Sequence, residues 1–100
     1  MHIMDHSIKN EVLTIFLKGK INSSNSEEVE QEIDEILAKN PFKSLIFDLD
    51  ELVYISSAGL RILLRIKQEN EDTKLVNVSQ PIYEIFEMVG FAKVLTIERK

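Results

Sequence analysis

The stretch SLIFDLDELVYISSAGLRILL, residues 44–64, constrains the chain more than any other. Its apolar run Leu45, Ile46 and Phe47 has the length and bulk of a strand buried on both faces, and the acids Asp48, Asp50 and Glu51 close it. After a short connection come two hydroxyls, Ser56 and Ser57, and two small residues, Ala58 and Gly59, ahead of a helical pattern. The serines fall where a helix N-cap belongs, and the small residues are expected to leave the backbone open to approach. Helix starts carry unpaired N–H groups and the positive end of the dipole, which favour an anion there.

The flanking segments read as alternating strands and helices. Residues 3–8 and 12–18 suit two strands of a hairpin around the polar turn 9–11, and Leu13, Ile15 and Leu17 give the second strand an apolar face. Residues 19–25 are turn-rich and lead into a helix over 26–40 with Val29, Ile33, Ile36 and Leu37 on one side. Ser24 and Glu27 have capping-box spacing, and Pro41 ends the helix. Glu27, Glu28, Glu30, Glu32, Asp34 and Glu35 read as a solvated helix surface rather than a docking face. After the strand 44–49, the helix 58–70 carries Leu60, Leu63, Leu64 and Lys67 as a stripe broadened by Ile62 and Ile66, leaving Arg61 and Arg65 exposed. A strand at 74–78 precedes a third helix, with Ser79 as N-cap, Pro81 near its first position, Ile82, Ile85, Phe86 and Val89 as its stripe and Gly90 as its stop. Residues 94–97 make a last strand. Such alternation favours right-handed crossovers and a largely parallel sheet covered by helices.

One hundred residues with 44% hydrophobic content suffice for one two-layer domain. A net charge of −5 disfavours nucleic acid or an anionic membrane as partner, since either needs a basic surface. The absence of cysteine removes disulfides and thiolate chemistry. No apolar run approaches the ~20 residues of a membrane helix, and the first ten residues lack the basic-then-apolar order of a signal peptide, so a cytoplasmic location is expected.

Enzyme chemistry finds little support. A serine between strand and helix suggests a nucleophile elbow, but the glycine required two residues before Ser57 is Ile55, and the histidines, His2 and His6, lie at the start of an edge strand. Those histidines lack a third metal ligand, and Asp48, Asp50 and Glu51 define no coordination cage. After the second strand stands Gly19-Lys20-Ile21, where a phospho-aspartate receiver needs acids, and no Walker-type phosphate loop is present. No metal or cofactor is therefore expected. The serines read as a plain N-cap or as a phosphorylation site on a binding protein, with Ala58 and Gly59 favouring the second.

The chain resembles the STAS domain family, the bacterial anti-sigma factor antagonists and their relatives. The likeness runs over the whole length and rests on the strand order, on GKIN after the second strand, on LIFDLDELVYISSAGLRILL, and on LVNVSQPIYEIFEMVGFAKVLTI. It implies one STAS-like α/β domain over residues 1–100: a mostly parallel sheet of about five strands with an N-terminal hairpin and three to four packed helices. In the antagonists the motif is Asp-Ser-Ser/Thr-Gly-Leu, with the serine after the aspartate phosphorylated. Aligning Gly59-Leu60 with its Gly-Leu puts the phosphoserine on Ser57, the aspartate on Ser56 and the second hydroxyl on Ala58, while Asn22 matches a position that is commonly Asp. Serine at 56 removes an acidic neighbour and offers a second acceptor, so Ser56 is the alternative site.

The resemblance implies a non-enzymatic antagonist whose partner is an anti-sigma factor with a histidine-kinase-like ATP fold acting as serine kinase, together with a serine phosphatase. Asn22, Ser56, Ser57, Ala58, Gly59 and Arg61 are the implied contact residues. A structural STAS subunit of a transport or stress-sensing complex, with the serines as caps only, is the second implied role.

Overall fold

The computed structural model describes residues 4–100. The element order is β1 (Met4–Lys9), β2 (Val12–Ile21), α1 (Ser26–Lys39), β3 (Ser44–Ile55), α2 (Ser57–Glu69), β4 (Thr73–Val78), α3 (Gln80–Met88) and β5 (Ile97–Arg99). One five-stranded sheet runs in the order β1-β2-β3-β4-β5; β1 and β2 are antiparallel and the later pairs parallel. His2 and Ile3 lie outside the described residues. Asn10 and Glu11 form a tight hairpin turn, with φ of 53° and 66°.

Neighbouring parallel strands joined by successive right-handed crossovers place all helices on one face, and the burial pattern agrees. Leu13, Ile15 and Leu17 of β2 and Leu45, Phe47 and Leu49 of β3 are buried against Val29 and Ile33 of α1, Leu60 and Ile66 of α2 and Phe86 of α3. Residues of opposite parity, Thr14, Phe16 and Ile46, are half-buried on the other face.

Several boundaries differ from those read in the sequence. β2 runs on through Gly19, Lys20 and Ile21, which pair with Leu52, Tyr54 and Ile55, so this segment is strand and not turn. β3 does not stop at its acids but reaches Ile55, kept in the sheet by two register shifts at which it carries one extra residue. The capping box does not form: Asn25 is the N-cap of α1, without a side-chain cap bond, and the Ser24 hydroxyl donates to Asn22 Oδ1. After α3, Gly90 at φ 79° lets Phe91 N–H return to Phe86 O at 2.9 Å. The Phe91 carbonyl then accepts from Val94 and Leu95, so a turn occupies the place expected for the last strand and β5 starts at Ile97.

Candidate functional site

The parallel strands β2 and β3 end side by side, with Ile21 paired to Ile55 and Ser56 N–H donating to Ile21 O at 2.8 Å. Chain leaving the carboxyl ends of neighbouring parallel strands is where α/β folds place their sites. Here it brings the loop beginning at Asn22 beside Ser56 and Ser57.

The two serines have different duties. Ser56 has extended backbone (φ −82°, ψ 170°), is half-buried, and its Oγ accepts the Gly59 N–H at 3.3 Å: it is the cap. Ser57 is the first residue of α2 and is exposed, and among the described residues no hydrogen bond engages its hydroxyl. Position 57 therefore combines an accessible nucleophilic oxygen with a helix start already held by its neighbour. An anion there gains from the helix dipole, and the first turn of α2 holds no acidic residue to oppose it.

Asn22 is half-buried, and its Oδ1 accepts from Ser24 N–H (3.0 Å), the Ser24 hydroxyl (2.7 Å) and Asn25 N–H (3.1 Å). Asn22 N–H in turn donates to Asn25 Oδ1 at 2.9 Å, so the loop beside the serines is a closed polar turn. Gly59 does not leave the backbone open as expected. It is buried, and a Cβ there would fall 2.7 Å from Ile55 Cγ1 and 2.8 Å from Ile21 Cγ2. Its role is to seat α2 on the two strand ends.

Arg61 is exposed and has no ion pair among the described residues. It borders a groove of about 370 Å³ between Glu27 and Glu30 of α1 and Ala58 and Ile62 of α2. Arg65, expected to be exposed as well, is instead half-buried and bonds Asp34 (2.9 Å), Glu30 (2.9 Å) and Glu69 (2.8 Å). The hydrogen bond to Asp34, then those to Glu30 and Glu69, raise its guanidinium above its ordinary range against partial desolvation. With 35% of the Arg65 side chain exposed, solvent screening holds the stabilisation to about 1 kcal/mol. Arg65→Met is expected to lose about that much in urea unfolding at low salt and markedly less at high salt. Equal stability of both proteins at low salt would show that the network contributes nothing.

The acids of β3 are engaged at the surface. Asp48 accepts from Asp50 N–H (3.0 Å) and Asn77 Nδ2, Asp50 pairs with Lys100 at 2.7 Å, and Glu51 lies 3.9 Å from Lys18. His6 is exposed on β1 opposite Ile15, roughly 20 Å of strand before the end of β2, so it does not join the serines. Val53 and Tyr54, 65% and 44% exposed just before Ser56, were not picked out from the sequence. The signal was the spacing of Leu49, Leu52 and Ile55, all buried three apart, which betrays a bulged strand with protruding residues between. No helix among the described residues is long and apolar enough to cross a membrane.

A five-stranded, mostly parallel sheet, its helices on one face and an exposed serine where the central strand meets its helix, is the arrangement of a STAS domain. The sequence profile of that family matches residues 4–100, and the chain belongs to it. BtrV of Bordetella bronchiseptica, a relative whose name places it among the anti-sigma factor antagonists, is 32% identical over 90 residues, covering 86% of this chain and 77% of BtrV. An anti-sigma factor antagonist from Mycobacterium paratuberculosis shares the fold with a TM-score of 0.82 at 19% identity, over 95% of this chain and 83% of that one. The anti-sigma factor antagonist SpoIIAA in its unphosphorylated form superimposes with a TM-score of 0.76, over 97% of this chain and 87% of that one. The phosphorylated form of SpoIIAA from Bacillus gives 0.69, over 97% and 90%, and both forms are 19% identical to this chain.

Proposed function

We propose that the chain is an anti-sigma factor antagonist that docks through the start of α2 and the adjoining loop, and that phosphorylation of Ser57 turns the docking off. The observation that carries this reading is the division of labour between the serines: Ser56 caps the helix while the Ser57 hydroxyl is exposed and unengaged among the described residues. The name of the BtrV relative supports the class, and SpoIIAA, a protein of the same fold, exists in phosphorylated and unphosphorylated forms.

Unmodified, the first turn of α2 carries no acid, and the exposed Val53 and Tyr54 lie close by in sequence, which suits contact with another protein. Binding there draws the anti-sigma factor away from its sigma factor. The same partner, with a histidine-kinase-like ATP fold, is the kinase. The Ser57 oxygen attacks the γ-phosphorus of ATP, the bond to the departing ADP breaks, and the hydroxyl proton passes to a base on the kinase. This chain supplies the acceptor and no catalytic group. The product carries about −1.5 to −2 of charge at the docking surface, which repels the partner while the helix start accommodates it. A serine phosphatase restores the hydroxyl.

Mapping phosphopeptides from the protein isolated from its native cell tests the reading. One phosphate on Ser57 is expected, retained in Ser56→Ala and absent in Ser57→Ala; Ser56→Ala should itself cost about 1 kcal/mol of stability through the lost cap. A phosphate on Ser56, or none under any growth condition, would overturn the proposal, the latter favouring a structural subunit.

A further inference from the structure

We propose that Arg61 is the intramolecular partner of the phosphate carried by Ser57, so that phosphorylation closes an ion pair along α2 and withdraws the guanidinium from the docking surface. The inference rests on Ser57 being the modified residue and specifies how that site is regulated.

Four residues separate Ser57 from Arg61, which places them one above the other on the same helix face. Helical side chains slant toward the N-terminus, so an arginine reaches back over the preceding turn toward position i−4. Acid first and base four residues later is also the favourable order for such pairs. A phosphate monoester presents oxygens that match the guanidinium fork, which makes the pair stronger than a carboxylate one.

The surroundings of Arg61 leave it available. Arg65, one turn further along, is occupied by Glu30, Asp34 and Glu69, while Arg61 is exposed with no ion pair among the described residues. Of the acids bordering their groove, Glu30 is committed to Arg65, and Glu27 is the carboxylate against which the phosphate competes. A phosphate approaching two negative charges has the advantage over that single charge. The first turn of α2 has no acid of its own, so the phosphate meets no like charge there. Lys20, exposed and paired with Tyr54 at the end of β2, is a second cation near the strand ends.

Before modification Arg61 extends to solvent at the groove between the helices and is free to meet a partner's acid. Afterwards it is folded back against its own helix. The modification thus adds negative charge and withdraws a positive contact in the same event, so a partner acid that met Arg61 loses that contact as well.

The test uses the full chain with phosphoserine installed at position 57 by genetic encoding, which makes the result independent of any kinase. Phosphorus NMR follows the second ionisation of the phosphate between about pH 4 and about pH 8. A nearby cation favours the dianion, so the midpoint should lie lower in the phosphorylated wild type than in phosphorylated Arg61→Gln, by on the order of threefold to tenfold in proton affinity. Lys20→Gln should leave it in place, and the phosphate should raise the melting temperature in the wild type more than in Arg61→Gln. Identical midpoints with and without Arg61, or a shift that disappears in Lys20→Gln and persists in Arg61→Gln, would overturn the inference. Phosphopeptide mapping reports separately on whether Ser57 is modified in the cell, so the two proposals can fail independently.

Discussion

Ser57→Asp is expected to bind the proposed anti-sigma partner on the order of 100-fold more weakly than the wild type, equivalent to about 3 kcal/mol, while melting at the same temperature or slightly higher. The two effects separate because the residue touches solvent, not the core. Within the fold, a carboxylate at the first position of α2 meets the positive end of the dipole, a contribution of about 0.3 to 1 kcal/mol in its favour. In the complex, the same carboxylate is taken out of water opposite a surface that evolved to meet a neutral hydroxyl, and an unpaired charge buried in an interface costs several kcal/mol. Arg61 recovers only part of that, because the aspartate stem is shorter than a phosphoserine and carries a single charge. Calorimetric titration with the partner and differential scanning calorimetry of the free chain measure the two halves. Ser57→Ala should bind as the wild type does, since it changes shape little and adds no charge. Wild-type affinity in Ser57→Asp would remove the charge switch; a large drop in melting temperature would mean that the mutation acts through the fold.

The order of elements was legible because each helix advertises itself locally. Val29, Ile33 and Ile36 repeat at helical spacing and are buried together, Pro41 stops α1, and Gly90 ends α3 with the backbone return from Phe91 to Phe86. A serine cap at the start of α2 also followed from local pattern, since hydroxyls ahead of an amphipathic run favour a cap. What stayed hidden depends on pairing between distant segments. Beyond Leu49 the buried positions of β3 are Leu52 and Ile55, three apart, because each register shift inserts a residue opposite β2. A period of two is the mark by which a strand is recognised, and a bulge erases it. The acids at 48, 50 and 51 then looked like a loop. They tolerate strand structure because Asp48 is answered by Asn77, Asp50 by Lys100 and Glu51 by Lys18, partners far off in sequence.

The candidate site shows the same division. Both serines are named by the sequence, yet only the geometry separates the cap from the exposed hydroxyl. Arg61 and Arg65 occupy equivalent steps of one helix and look alike in sequence. The acids of α1 distinguish them, engaging Arg65 and leaving Arg61 unpaired among the described residues. Asn22 was singled out by resemblance to a position that is commonly acidic. In this fold its side-chain oxygen holds the loop through three donors, so it shapes the neighbourhood of the serines from within the turn.

Gly59→Val is expected to lower stability by about 3 kcal/mol and the melting temperature by roughly 12 to 24 °C, and Gly59→Ala by about 1 to 2 kcal/mol. Helix propensity alone predicts the opposite, since alanine inside a helix is favoured over glycine by about 1 kcal/mol. Space decides the sign. The added Cβ would stand 2.7 Å from Ile55 Cγ1 and 2.8 Å from Ile21 Cγ2. Both isoleucines are at most 2% exposed, and their γ carbons lie next to the branch point, so neither can retreat without rotating χ1 or moving a strand. The strands cannot yield easily, because Ile21 and Ile55 are paired and Ser56 N–H is bonded to Ile21 O. The relief is to lift the start of α2, which strains the Ser56 cap and displaces Ser57; Gly59→Ala should therefore also be a poorer substrate for the proposed kinase while remaining folded. A double-mutant cycle isolates the clash: in an Ile21→Ala background, where Cγ2 is gone, Gly59→Ala should cost less by at least about 0.5 kcal/mol. Were Gly59→Ala to stabilise the chain by the propensity difference, α2 would not be seated on the strand ends as described, and the rigid presentation of Ser57 would lose its physical basis.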